Sequence, residues 1–170
     1  MLCYKRKNNV AKIIFVLYCL ILIWLVLFKF SFTFSEISWF ARTRSLNLIP
    51  FYYDTEVGKS HIKEVVMNVL VFVPMGIYLK ILDMPAAKTV LTAFIFSFFL
   101  ELIQFVTTIG ASDITDIITN TTGAVIGVCL YLLAKKIFVD KKRIAKVVNI
   151  LASIFIFLFL SLAVLLYIAN

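Results

Sequence analysis

The stretch ELIQFVTTIGASDITDIITNTTGAVIG, residues 101–127, decides how this chain is read. It sets Glu101, Gln104, Asp113, Asp116 and Asn120 within two of the most apolar parts of the sequence. Asp113, Asp116, Asn120, Gly123 and Gly127 are separated by 3, 4, 3 and 4 residues. At about 100° per residue that spacing draws one narrow stripe down a helix. A polar stripe on an apolar helix must face other protein, so the helix belongs to a bundle.

The rest of the chain says what kind of bundle. Of its 170 residues 63% are hydrophobic and 15% are charged, and mean hydropathy is +1.05. Soluble domains carry about 25% charged residues. The apolar residues come in long blocks, which excludes an ordinary water-soluble core and predicts an integral membrane protein. Lipid leaves no backbone group unpaired, and unbroken runs of this kind are helices rather than the alternating strands of a barrel. The expected fold is an all-α membrane bundle of about five spans, near 10–30, 63–82, 88–109, 113–134 and 146–168. All lie in a single membrane domain over residues 1–170. The second span carries Glu64, Asn68, Pro74 and Gly76, and is expected to be either kinked or re-entrant.

Charge sets the orientation. The net charge of +8 does not point to nucleic acid, because the cations flank the apolar runs. Lys5, Arg6, Lys7 and Lys12 precede the first run; Lys135, Lys136, Lys141, Lys142, Arg143 and Lys146 separate the last two. The positive-inside rule then puts the N-terminus in the cytoplasm and, with five spans, the C-terminus outside a bacterial cell membrane. The same cations can touch anionic lipid. Cys3, Cys19 and Cys129 have no paired spacing, so neither a disulfide framework nor a metal site is expected. No cofactor is implied. The first apolar run is too long for a signal-peptide core and lacks a cleavage pattern, so it reads as a retained helix.

The one long connection, residues 31–62, is rich in aromatic residues and holds Arg42 and Arg44. Such a loop is expected to lie on the outer leaflet or to fold back into the bundle. On the outward half of the bilayer three helices converge. His61, Glu64 and Asn68 form a second stripe at spacings of 3 and 4, descending from the outside. Glu101 lies about 12 Å below the outer end of its span. Asp113 has the position of a helix cap, whereas Asp116 and Asn120 are expected to lie deeper.

A carboxylate at mid-membrane costs about 2.5–3.5 kcal/mol on insertion scales, so such groups mark a site or a hydrogen-bonded packing seam. The convergence predicts a polar pocket opening outward, with Arg42 and Arg44 near its mouth. An arginine fork there suits phosphate or carboxylate. Gly123 and Gly127 form a GxxxG pair expected to pack tightly on a neighbouring helix. Glu101, Asp116 and His61 are the residues that could carry acid–base chemistry. No HExxH, GxSxG or P-loop motif occurs.

In order along the chain, RSLNLIPF (44–51), NVLVFVPMG (68–76), ELIQF (101–105) and GASDITDIITNTTGAVIG (110–127) resemble the VanZ-like family of bacterial membrane proteins. The resemblance runs over about 18–138. It marks Arg44, Asn47, Asn68, Glu101, Gln104, Asp113, Asp116 and Asn120, which are expected to bind a ligand, and Pro50, Pro74, Gly76 and Gly123, which with Gly127 are expected to be structural. It implies a role in low-level resistance to teicoplanin, a lipid-bearing glycopeptide antibiotic, with little effect on vancomycin. Three readings stay open at this point. The first is a module that binds the drug or a cell-wall lipid precursor. The second is an enzyme acting on an outer-leaflet lipid or glycan, and the third a small transporter. Membrane lipids are expected partners, and oligomeric state is left open.

Overall fold

A computed structural model of the chain describes residues 2–28, 46–52, 58–109, 111–138 and 140–169. Five helices account for nearly all of them: α1 Leu2–Leu27, α2 Gly58–Ile81, α3 Ala86–Thr107, α4 Ile114–Phe138 and α5 Lys141–Ala169. Each is long and apolar enough to cross a membrane. Two short strands, β1 Leu46–Asn47 and β2 Ser112–Asp113, complete the described elements.

Several limits differ from those expected. α2 is a single continuous helix of 24 residues with Pro74 inside it. Its length of about 36 Å exceeds the roughly 30 Å hydrocarbon core, so it is long enough to span, and it does not double back as a re-entrant segment would. α4 runs to Phe138 and α5 begins at Lys141, so only two residues separate them. The lysines assigned to a loop are therefore helical. Lysine is a good helix former, and its long stem lets the charge reach water from a helix end. Asp140 caps the start of α5, accepting the Lys142 amide at 2.8 Å.

α2 and α4 run in the same direction, because contacts descend both helices together. Asn68 meets Asp116, Val69 meets Gly123, and Val73 meets Gly127. Three glycines permit the approach. A methyl group built on Gly76 would lie 2.2 Å from the Ala124 carbonyl oxygen. One on Gly123 would lie 2.2 Å from the Val69 carbonyl, and one on Gly127 2.1 Å from the Val73 carbonyl. Backbone cannot move aside as a side chain can, so no larger residue fits this seam.

Around the seam the core is apolar. Tyr18 and Leu22 of α1, Phe72 and Met75 of α2, Leu100 of α3 and Ala124 of α4 pack together. α5 is attached more lightly, through Ile156 against Ile21 and Leu25, and Ile144 against Ile81 and Tyr131. Tyr78 adds a hydrogen bond to Asn149 Oδ1 at 3.1 Å. Most of α5 therefore faces what surrounds the bundle. At the basic ends of the helices, Lys141 pairs with Asp83 in the α2–α3 turn.

Candidate functional site

The polar cluster is built around the start of α4, which is recessed. Asn68 lies seven residues into the bundle from His61, or about 10 Å along α2. Its side-chain amide donates to Asp116 Oδ1 at 2.7 Å. Glu101 lies six residues, about 9 Å, below the end of α3. Its Oε2 accepts the Asp113 backbone amide at 2.9 Å, and its carbonyl accepts the Ser112 hydroxyl. The first residues of α4 are thus held well below the N-terminal end of α2 and the C-terminal end of α3.

Asp113 takes the role expected of it, and Asp116 differs in one respect. Asp113 is the cap of α4, since its Oδ1 accepts the Thr115 amide at 2.7 Å. Its Oδ2 meanwhile accepts from Asn47 Nδ2 at 3.1 Å. Asp116 is not below the first turn but in it. Placed there it is favoured by the helix dipole, by about 0.3–1 kcal/mol at an ordinary exposed site and more when partly buried. It is buried all the same, because the whole N-terminus of α4 is sunk into the bundle. Both aspartates and Glu101 are buried, at 6%, 5% and 5% exposure.

Residues 46–52 fold back onto this level. β1 pairs in parallel with β2, Leu46 opposite Ser112 and Asn47 opposite Asp113. Asn47 closes its own turn, accepting the Ile49 amide at 3.1 Å and donating to the Tyr52 carbonyl at 3.3 Å. Pro50 and Phe51 occupy the centre of the next turn, whose Tyr52 amide donates to the Ile49 carbonyl at 3.3 Å. Phe51 has φ 57°, the positive value that the third position of a type II turn demands. Its amide donates to Thr115 Oγ1 at 3.1 Å. Of the two arrangements expected for the long connection, this part folds back.

The other candidates are spread around the cluster. Gln104 reaches α1, donating to the Val26 and Leu27 carbonyls at 3.0 and 3.3 Å. These are end carbonyls of α1 that have no partner within their own helix. Asn120 lies one turn further inward than Asp116 and donates to Ser97 Oγ at 2.9 Å. His61 is brought to Glu64, 3.5 Å away on the next turn of α2. Arg42 and Arg44 lie outside the described residues. Among the described residues no three His, Cys, Asp or Glu side chains gather to hold a metal ion.

Ser97, Ser112 and Thr115 were not singled out from the sequence. Ser97 was within reach, since it precedes Glu101 and Gln104 at spacings of 4 and 3 on one face of α3. The threonines of α4 look expensive in lipid, but Thr121 and Thr122 donate to the carbonyls four residues back, at 2.7 and 2.8 Å. Asp116 and Asn120 instead link α4 with α2 and α3.

These features define a polytopic helical membrane protein with a buried acid and amide cluster at one end of a tightly packed helix pair. A family model described as VanZ/LLP1 matches residues 15–135. Protein VanZ of Enterococcus faecium is 39% identical over 134 residues, covering 78% of this chain and 79% of that one. The chain belongs to the VanZ/LLP1 family. No solved structure matches it.

Proposed function

We propose that this chain confers low-level resistance to teicoplanin. It would act through an outward-facing polar site that engages the drug or a lipid of the cell envelope. The observation that carries the reading is the convergence of Asn47, Asn68, Glu101, Asp113 and Asp116 on the recessed start of α4. Three buried acids at one level are more than helix packing asks for, and intramembrane acids are functional by default. Carboxylates here suit a partner rich in hydroxyl and amide donors, as a glycopeptide or a glycolipid is. Arg44 would add a fork for phosphate or carboxylate at the mouth of the site.

The acids already serve as acceptors and a cap, an arrangement that holds a ligand rather than one that frees a nucleophile. Binding is therefore favoured over catalysis. An acyl tail would explain a preference for teicoplanin over vancomycin, since a lipid-bearing drug concentrates in the leaflet where the site lies. The cytoplasmic N-terminus and external C-terminus belong to the same reading, because they turn the recess outward. The test is expression in a susceptible Gram-positive host. The inhibitory concentration of teicoplanin rises and that of vancomycin does not; no rise for teicoplanin removes the reading.

A further inference from the structure

The segment 46–52, LNLIPFY, has two unlike faces. Its polar groups are turned to the protein: Asn47 to Asp113, the Phe51 amide to Thr115, and the β1 backbone to β2. Its large side chains are turned away. Leu46, Leu48, Ile49, Phe51 and Tyr52 are each more than half exposed. No residue in the segment is charged. In water so dense an apolar face would be a liability.

Its depth supplies the occupant. The segment is paired to residues 112–113, which are hydrogen-bonded to Glu101, about 9 Å in from the end of α3. It is therefore level with the outer part of the spans and not perched above them. Leucine, isoleucine and phenylalanine with a terminal tyrosine match the boundary between acyl chains and headgroups, where amphipathic aromatics settle.

We propose that residues 46–52 form a strap inserted into the outer leaflet, its apolar face among acyl chains and its polar face closing over the start of α4. The partner is the lipid surface itself, and the inference does not depend on which ligand the site takes. The strap would couple the leaflet to the acid cluster directly, since Asn47 and Asp113 share a hydrogen bond.

The test places a tryptophan on the strap. Phe51→Trp, and separately Leu48→Trp in case the positive φ at residue 51 impairs folding, are made with Trp24 and Trp39 replaced by Phe. Each protein is reconstituted in phosphatidylcholine vesicles with and without dibrominated acyl chains. The expected result is blue-shifted emission, roughly halved by the brominated lipid and shielded from acrylamide. Quenching by acrylamide without quenching by bromine puts the strap in water and overturns the proposal. Quenching by neither puts it under other protein and also overturns it.

Discussion

Asn68 donates its side-chain amide to Asp116 Oδ1 at 2.7 Å, joining α2 to α4 where both are buried. The bond fixes the depth of α4 against α2 at the N-terminal end of the glycine seam. Removing the amide takes a donor from a buried acid. Asn68→Ala is expected to destabilise the protein, with a coupling to Asp116 of about 1 kcal/mol, as hydrogen bonds between membrane helices typically show. A double-mutant cycle with Asp116→Ala, followed by unfolding in mixed micelles, measures it.

The glycine seam predicts sharper losses. A Cβ at Gly123 meets the Val69 carbonyl oxygen at 2.2 Å and the Phe72 Cβ at 2.9 Å. Gly123→Ala, and likewise Gly127→Ala, must push two backbones apart. Destabilisation at or above about 3 kcal/mol is expected, the upper end for overpacked cores. Loss of the monodisperse peak of a fluorescent fusion in size-exclusion chromatography reports it.

Asp113 separates capping from charge. Asp113→Asn keeps an oxygen for the Thr115 amide and is expected to hold stability within a few tenths of a kcal/mol. Asp113→Ala removes the cap and is expected to cost about 1 kcal/mol. The comparison is of melting temperatures in one detergent. If Asn and Ala behave alike, the carboxylate and not the cap carries the stability.

The proposed orientation is checked with one cysteine. With Cys3, Cys19 and Cys129 replaced, Lys142→Cys at the start of α5 should react with a membrane-impermeant maleimide only after the cells are opened. A C-terminal epitope tag should be reached in intact cells once the wall is removed. The reverse pattern would turn the acid cluster toward the cytoplasm.

Much of this arrangement was legible because polar residues in a membrane helix must face protein. The spacings of 3 and 4 from Asp113 to Gly127 placed a stripe on one side of α4, and that side packs on α2 and α3. The identity of the partner was not legible. Periodicity says which face is buried but not which helix covers it, so Gly76 as the opposing element of the seam emerges only in three dimensions. The partners of Asn47 and Gln104 were hidden as well, because an isolated amide gives no clue that a turn or a helix end will meet it. The recess of α4 was hidden for the same reason. Hydropathy marks where a helix begins along the chain, not how far below its neighbours it begins. Tyr78 and Asn149 escaped notice because only their meeting, between α2 and α5, makes a polar contact.

The most direct test of the acid cluster as a functional site is the teicoplanin inhibitory concentration conferred by Asp116→Asn, measured at protein levels and melting temperature matched to the wild-type chain. The substitution is nearly isosteric, so the packing of α2 on α4 is expected to survive. Loss of teicoplanin resistance with stability intact is the predicted result. Full resistance in a stable Asp116→Asn protein would contradict the account and leave the cluster as a packing seam.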